Sequence, residues 1–385
     1  MEEIVNKELC SGCAACYNAC PVQSISMKPD SEGFLFPEID AQKCIDCGLC
    51  KRICPILNNY VGNPKGTAYA CINKDEFVRN NSSSGGFFSL VAENVINKNG
   101  VVFGAALDKN ANVEHICISE KSQLSKLRGS KYLQSVVGDS YKKAEAFLKD
   151  DKYVLFSGTP CQISGLKSFL GKDYEKLILV DFICHGVPSQ KAWAKYLEYQ
   201  KKKYKAKTVF ENEVNFRDKS SGWTNYSMRI KFDNKDEYIG NLSQDLFMRS
   251  FLNNLCLRKS CYNCHSKSVN RESDITMADF WGVKDILPEM FDDKGTSLIL
   301  INSAKGKKIF EELAGDMNIL QVDFEKAISR NTAAYKSCEL PKNREKFMAS
   351  LDKIDFEKNI KSCIKSSMII KIKRFIKRGI KYVQK

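Results

Sequence analysis

The chain has 385 residues, of which 43% are hydrophobic and 28% charged, a balance that is ordinary for a globular protein of two or three domains. Its net charge of +14 does not predict nucleic-acid binding, because residues 361–385 contain nine Lys and Arg and no Asp or Glu. The 17 cysteines, without a signal-peptide pattern or a membrane-spanning apolar run, predict a reducing cytoplasmic compartment where thiols serve metals or catalysis.

The first feature along the chain is a pair of cysteine runs. "CSGCAACYNACP" and "CIDCGLCKRICP" both follow the pattern C-x2-C-x2-C-x3-C-P, which is typical of ferredoxins with two 4Fe-4S clusters. In that pattern three cysteines of one run hold one cluster and the fourth reaches the other, whereas zinc favours two separated pairs of ligands. We therefore expect one cluster on Cys10, Cys13, Cys16 and Cys54, and the other on Cys44, Cys47, Cys50 and Cys20.

The segment between the runs, "QSISMKPDSEGFLFPEID", predicts a short strand, a turn and a second strand. Residues 1–57 are therefore predicted to form an α+β ferredoxin-like dicluster domain. Residues 58–66 are polar and contain Gly and Pro, which indicates a linker.

Beyond the linker, strand-like and helix-like segments alternate. "VVFGAAL" and "VEHICIS" predict paired strands, and "DSYKKAEAFLKDD" predicts a surface helix. Three strand-then-helix units follow, beginning at "YVLFSGTP", "LILVDFICHGVP" and "SLILINSAKG", and in the first Thr159 is expected as N-cap with Pro160 as the first helical residue. This alternation predicts an α/β domain with a mixed, partly parallel sheet, divided into residues 67–150, 151–330 and a helical tail at 331–385.

Further cysteines indicate a third metal site. Cys161 and Cys184 follow two of these strands, at the edge where open α/β sheets bind ligands. Downstream, "NNLCLRKSCYNCHSK" places Cys256, Cys261 and Cys264 at metal-ligand spacing. The alternatives are a structural zinc site and a third 4Fe-4S cluster completed by Cys161 or Cys184, and the N-terminal clusters favour the second because zinc does not accept electrons. The remaining thiols are interpreted as ordinary: Cys71, Cys117, Cys338 and Cys363.

Several stretches, in this order, resemble the beta subunits of coenzyme F-420-reducing hydrogenase and related dehydrogenases. They are the two cysteine runs, "SSSGGFFSLV", "LRGSKYLQS", "GTPCQISGLK", "CHGVPS" and "SDITMADFWG", and they span about residues 1–320. The resemblance implies an iron–sulfur flavoprotein in which FAD passes electrons between the clusters and an organic substrate, such as a deazaflavin coenzyme. Relatives also act on bilin or chlorophyll-type pigments, and bacterial members occur among polysaccharide-biosynthesis enzymes.

The flavin is implied by this resemblance, since the sequence has neither a G-x-G-x-x-G motif after a strand nor a P-loop. Gly/Ser loops and a helix N-terminus offer backbone N–H groups to a diphosphate, and a lysine adds a cation. The candidate residues are Ser84, Gly85, Gly86, Ser130, Lys131, Gly158, Thr159 and Pro160. Asp274 and Asp279 are further polar candidates, beside Phe280 and Trp281, which are expected in the core.

The C-terminal segment predicts a basic amphipathic helix that lies on an anionic membrane surface or an acidic partner, or packs on its own domain. Its apolar face comprises Ile364, Met368, Ile372, Phe375, Ile376, Ile380 and Val383. The predicted function is a cytoplasmic iron–sulfur flavin-dependent oxidoreductase that receives electrons from a redox partner protein or reduced ferredoxin and passes them to a small-molecule acceptor. The alternative is an electron-relay subunit without a substrate site of its own.

Overall fold

The computed structural model describes residues 3–58 and 62–364. The strands within these residues are β1 (Ile25–Pro29), β2 (Leu35–Ile39), β3 (Thr67–Asn73), β4 (Val101–Leu107), β5 (Val113–Ile118), β6 (Val154–Ser157), β7 (Leu177–Phe182), β8 (Val209–Asp218), β9 (Ser227–Phe232), β10 (Glu237–Asn241), β11 (Ile275–Asp279), β12 (Ser297–Ile301) and β13 (Met317–Val322). The α-helices are α1 (Ala15–Ala19), α2 (Leu49–Arg52), α3 (Glu76–Asn80), α4 (Phe87–Asn97), α5 (Leu124–Leu127), α6 (Ser140–Lys149), α7 (Pro160–Leu170), α8 (Gln190–Tyr204), α9 (Leu246–Leu252), α10 (Val283–Ile286), α11 (Ala304–Glu312), α12 (Phe324–Ile328), α13 (Arg344–Ala349) and α14 (Phe356–Cys363).

The N-terminal module is small and built around its two cysteine runs. β1 and β2 form the predicted antiparallel pair, and each run contributes one short helix, α1 or α2. Ala14 and Gly48 precede these helices in the left-handed conformation, with φ of 63° and 68°. That conformation favours glycine because a Cβ atom is penalised there, so Gly48 adopts it without the strain that Ala14 carries, and both positions set the tight loops in which the cysteines sit.

The body is organised by one eight-stranded sheet in the order β13-β3-β12-β11-β7-β6-β4-β5. The four strands β11, β7, β6 and β4 run parallel to their neighbours in that group, and the strands outside them pair antiparallel. The predicted mixed, partly parallel sheet is confirmed. The segments 67–150 and 151–330 both contribute strands, so they share this sheet.

Helix α7 owes its position to the predicted signals at its start. Thr159 is its N-cap in a capping box with Gln162, and Pro160 is the first helical residue. The helix connects the parallel strands β6 and β7, as expected for a crossover. Its first turn therefore lies at the carboxyl edge of the sheet.

A second layer covers this edge. The antiparallel strands β10-β9-β8 form a separate three-stranded sheet. Its inner face packs with helices α8, α9, α13 and α14 in an aromatic core that includes Trp193, Tyr196, Phe216, Phe247 and Phe356. The tail segment is thus part of the folded body as far as α14, and the predicted amphipathic helix beyond Ile364 lies outside the described residues.

The N-terminal module is fastened to the body by buried guanidinium groups. Arg258 donates from Nε to the Cys10 carbonyl at 2.7 Å and from Nη2 to the Leu35 carbonyl at 3.0 Å. Arg344, whose side chain is 0% exposed, holds both carboxylate oxygens of Glu32 at 2.7 and 2.5 Å. Such paired, planar contacts fix orientation as well as proximity.

Among residues 3–58 and 62–364, no helix has the length and apolar character to cross a bilayer.

Candidate functional site

The first site is a small cavity in the N-terminal module, here called the N-terminal cavity. Cys10, Cys13, Cys16 and Cys54 line it, so the structure brings together the cysteines of the crossed ligand set. Its other described lining residues are apolar or small, and none of them is charged. Burial raises the pKa of the Cys13 thiol to about 12, and the neighbouring thiols add to this effect. A bound iron–sulfur cluster would offset the cost of ionising these buried thiols, because its iron ions favour the thiolate form.

The other four cysteines of the module lie nearer its surface. Burial raises the pKa of Cys50, and the adjacent Cys47 and Cys44 raise it further. Cys47 is exposed. The Cys20 sulfur lies 3.2 Å from both the hydroxyl and the backbone nitrogen of Ser24, and it packs in the same apolar cluster as Cys50. This set therefore provides the exposed end of the module.

A second cavity, here called the central cavity, lies where the module meets the body. Four cysteines line it: Cys161, Cys184, Cys261 and Cys264. They come from the first turn of α7, the loop after β7, and the turn that contains Lys259–Asn263. Leu9, Ser11 and Ile56 of the N-terminal module complete the wall. Both Cys161 and Cys184 are present, although the sequence required only one of them.

Cys256 is the exception in the predicted ligand set. It is fully buried in the aromatic core, with its sulfur 3.4 Å from the Ser250 hydroxyl, and it does not line the central cavity. Residues 256–258 pair in extended form with residues 187–189, and Leu257 lies against Gly186 at the cavity. Because side chains alternate along an extended chain, Cys256 lies on the opposite side. The four thiols that line the central cavity therefore include both strand-end cysteines, Cys161 and Cys184, and not Cys256.

The central cavity differs from the N-terminal one in its charge. Burial raises the pKa of Cys161 to about 11 and that of Cys184 to about 12, and neighbouring thiols add to both shifts. Lys267 and Arg271 line the same cavity and oppose the shift at Cys184. Lys267 donates to the Cys184 carbonyl, and to that of Ala333 at 2.7 Å. In the described part of the chain, no three His, Cys, Asp or Glu side chains form a group suited to a single metal ion.

Helix α7 separates the two cavities by about one turn. Cys161 lies at its start, and Gly165 faces the first cysteine run, where an added Cβ would lie 2.9 Å from the Cβ of Cys13. The Tyr141 hydroxyl is 2.8 Å from the Cys13 carbonyl and 2.7 Å from that of Gln162. Because Gly165 has no side chain, the cysteine loop packs directly on the helix.

A cleft of about 640 Å³ adjoins the central cavity. The two share Thr159, Cys184, the loop at 185–187 and Ala333 as lining residues. Six of the predicted flavin residues line the cleft: Ser84, Gly86, Ser130, Lys131, Gly158 and Thr159. The volume lies within the roughly 300–1,000 Å³ of small-molecule and cofactor sites.

The two remaining candidates have other neighbours. Gly85 donates its N–H to the Ser297 hydroxyl at 3.0 Å, and an added Cβ would lie 2.3 Å from the Cys71 carbonyl oxygen, so close packing on β3 requires this glycine. Pro160 lines the central cavity instead of the cleft. The Gly/Ser loop and the "GSK" loop do meet, because Ser130 donates its backbone N–H to the Ser83 hydroxyl at 2.6 Å.

Two groups expected to hold a diphosphate are partly engaged within the protein. The Thr159 N–H donates to Gln162 Oε1 at 3.0 Å, and the Thr159 side chain accepts from the N–H of Gln162, so the capping box uses two donors of the helix start. The Lys131 ammonium donates to the carbonyls of Lys126 and Arg128 at 2.9 and 3.0 Å. Burial lowers the pKa of Lys131 to about 7.

The far end of the cleft contains residues that the sequence did not single out. Arg217 of β8, Tyr226 and Arg330 line it together with Trp281. Asp279 also lines the cleft, and it accepts from Arg217 Nη1 and from Trp223 Nε1, the latter at 3.0 Å. Phe280 is in the core as expected. No sequence motif marks Arg217, because its place depends on an irregular strand.

Asp274, the other acidic candidate, has a structural environment. It accepts from the Leu179 N–H at 2.8 Å and from the Ser303 hydroxyl at 2.6 Å. These contacts join the strand β7 to the start of α11. It does not line the cleft.

Comparison with known proteins agrees with the arrangement of the two parts. Residues 151–326 match the family model that describes the C terminus of the coenzyme F420 hydrogenase/dehydrogenase beta subunit, and residues 9–57 match the 4Fe-4S dicluster domain. The F subunit of F(420)H(2) dehydrogenase from Methanosarcina mazei is 24% identical over 187 residues, covering 46% of this chain and 53% of that protein. An uncharacterized protein of Methanocaldococcus jannaschii is 27% identical over 205 residues, covering 46% and 57%.

The chain thus spans about half the length of the curated relatives it matches. A solved structure is similar at a TM-score of 0.46 and 16% identity, covering 79% of this chain and 93% of that one. It is a chain from a structure of the F420-reducing NiFe hydrogenase complex from Methanosarcina barkeri.

Proposed function

Residues 151–326 of this chain belong to the family of coenzyme F420 hydrogenase/dehydrogenase beta subunits and residues 9–57 to the 4Fe-4S dicluster domain, and from that premise we propose an iron–sulfur flavoprotein oxidoreductase. Electrons enter at the N-terminal module and leave through an organic acceptor in the cleft. A deazaflavin coenzyme is the first acceptor to test, since the family description and one relative's name include F420.

The observation that carries this proposal is the succession of three adjacent sites. The N-terminal cavity lies against α7, the central cavity lies at the start of that helix, and the central cavity shares a wall with the cleft. A relay that ended in the module would not need thiols beside the cleft. The succession therefore favours an enzyme over a simple electron-relay subunit.

The residues of the central cavity fit a third 4Fe-4S cluster. Four thiols line it, which is the usual number of ligands for this cluster, so no other kind of ligand is required. Cys161 and Cys184 come from sheet-edge positions, and Cys261 and Cys264 come from one turn. Lys267 and the backbone around Val187 hold these segments in place, the Val187 N–H lying 3.5 Å from the Cys261 sulfur.

The cleft fits FAD in size and polarity. Its Gly/Ser loops supply backbone N–H groups, and Arg128 and Lys131 supply positive charge on the same side. When bound, FAD would supply the chemistry that joins one-electron clusters to a two-electron organic acceptor. The chain's own contribution is to hold this group beside the central cavity and to exclude water behind Tyr132 and Phe251, whose rings pack at 4.8 Å.

The electron donor is proposed to dock at the exposed end of the module. Cys47 is exposed there, and Ile45, two residues before it in the chain, is 61% exposed. Apolar groups beside an accessible cluster suit a transient contact with a redox protein.

The test is anaerobic purification of the full chain, followed by assays of iron, acid-labile sulfide, zinc and extractable flavin. The proposal expects about twelve irons and one FAD per chain. Reduction of added F420 by a reduced ferredoxin would then identify the acceptor. About eight irons with one zinc would contradict the third cluster, and fully loaded protein without flavin would favour the relay subunit.

A further inference from the structure

The cleft is strongly biased toward positive charge. Among its described lining residues, the charged side chains are Arg128, Lys131, Arg217 and Arg330 against the single carboxylate of Asp279. His115 and His185 also line it, and burial lowers the pKa of both, which favours their neutral forms. A cleft lined by one sign of charge concentrates ligands of the opposite sign.

Arg217 is the most unusual member of this set. Its side chain is 2% exposed, and only Nη1 is paired, with Asp279. Nε and Nη2 have no hydrogen-bond partner within the residues that the structure describes. Leaving buried N–H groups of a guanidinium unpaired costs free energy. The protein itself therefore supplies no acceptor for the Nε and Nη2 groups of Arg217.

The surroundings hold this guanidinium in place. It lies over the ring of Tyr226 at 4.4 Å and over that of Trp281 at 5.5 Å. Trp281 in turn stacks on Trp223 at 5.1 Å with an interplanar angle of 10°. Aromatic stacking of this kind orients an arginine while leaving its in-plane N–H groups available for a planar oxyanion.

A second cation without a partner stands at the same end. Arg330 is exposed, lines the cleft, and makes no ion pair or hydrogen bond to any residue of the described ranges. The next residue, Asn331, donates to the backbone carbonyl of Asp279 at 3.0 Å, which places the two arginines beside the same strand end.

We propose that the Arg217 end of the cleft is a binding site for an oxyanion, a phosphate or carboxylate group of the molecule that occupies the cleft. The free Nε and Nη2 edge of Arg217 is the bidentate donor, and Arg330 adds charge at the rim. The group has two possible sources, the diphosphate of the cofactor or the organic substrate. The proposal of an oxyanion site depends only on the residues of the cleft. Only the identification of the molecule that carries the oxyanion rests on the proposed function, through its FAD.

The test uses the anaerobically purified full chain with its flavin removed, and isothermal titration with inorganic phosphate, and then malonate, at constant ionic strength set with chloride. Wild-type protein is expected to bind with saturation. Arg217→Gln combined with Asp279→Asn removes both charges of the buried pair, and it is expected to weaken binding by at least about tenfold. Arg217→Lys keeps the positive charge but removes the planar bidentate donor, and its affinity for phosphate is expected to lie between those of the wild type and the double variant.

The matched control is Arg229→Gln, which removes one charge from the neighbouring strand, where Arg229 pairs with Glu237. It should bind as the wild type does. Absence of saturable binding in the wild type, or equal affinity in the double variant with unchanged iron content and melting temperature, would overturn the site.

A second arm identifies the source of the oxyanion. If FAD-loaded protein still binds phosphate, the site belongs to the substrate, and if FAD blocks phosphate, the site holds the cofactor's diphosphate. A chain that binds no FAD would count against the proposed function and leave the phosphate result of the first arm standing.

Discussion

The N-terminal and central cavities hold the same number of thiols in opposite surroundings. The N-terminal cavity is lined by apolar and small residues such as Ile4, Ala15 and Pro55. The central cavity is lined by Lys267, Arg271 and two histidines. Net charge and hydrogen bonds around a cluster set its reduction potential. If both cavities hold the proposed clusters, the comparison predicts a higher potential in the central cavity, which would favour electron flow from the module toward the cleft.

The largest effect is expected from emptying the central cavity. Cys261→Ala with Cys264→Ala should remove about four of about twelve irons and slow electron transfer from the module to flavin sharply, while dithionite still reduces the flavin directly. Iron analysis and stopped-flow absorbance measure both results.

Cys256→Ala is the matched control for this variant, because it removes a thiol from the same segment but from the aromatic core. It should keep every iron. Its free energy of unfolding should fall by about 1 kcal/mol, because the substitution leaves a small cavity in the core. Loss of iron in this variant would return the ligand set to the one expected from spacing, whereas full iron in the double variant would contradict a cluster on Cys261 and Cys264 altogether.

Cys54→Ala tests the crossed ligation in the module. Although Cys54 belongs to the second run, its loss should damage the cluster of Cys10, Cys13 and Cys16, with which it lines the N-terminal cavity. Electron paramagnetic resonance during a reductive titration would show the signal of one cluster lost. Cys50→Ala serves as the comparison and should remove the other signal. The same signal lost in both variants would contradict separate sets.

The charge difference between the cavities can be reduced directly. Lys267→Gln removes a cation that donates to the Cys184 carbonyl, so the potential of the central cluster should fall by tens of millivolts while that of the N-terminal cluster stays constant. Spectroelectrochemical titration measures both. Lys307→Gln, which removes a surface lysine paired with Glu311, is the control for net charge. An equal shift in both clusters would mean that the effect is not local.

The smallest effect is a pH dependence at Lys131. Its pKa of about 7 lies below the ordinary value for lysine, so the side chain is charged below that pH and neutral above it. If its charge holds the cofactor's diphosphate, affinity for FAD should fall several-fold as the pH rises from 6 to 8. Fluorescence titration of apoprotein measures this, and Lys131→Met should remove the dependence, whereas Lys126→Met should retain it.

The elements of the body were predictable because their signals are local. The apolar segment before Thr159, the cap and the proline specify strand, turn and helix within a few residues, and β6 and α7 follow them. The module was predictable for the same reason, since the spacing of its cysteines carries the ligand pattern. Local patterns of this kind are independent of distant parts of the chain.

Which residues line the central cavity and the cleft depends on contacts between segments that are distant in the chain. Cys256 has metal-ligand spacing, but the pairing of its segment with residues 187–189 directs it into the core. At Arg217 the register shifts between Asn215 and Asp218, so that an extra residue of β8 opposes β9. A bulge re-aims a side chain, and alternation along the strand gives no warning of it.

The arginine contacts described for the module make it a fixed part of the molecule instead of a mobile carrier. Detaching it would break the hydrogen bonds from Arg258 to the carbonyls of Cys10 and Leu35 and the bidentate ion pair between Arg344 and Glu32, and it would expose apolar surface around both side chains. These contacts oppose any swing of the module between a donor and the body. Under the proposed function, an electron donor would therefore have to reach the module at its exposed end.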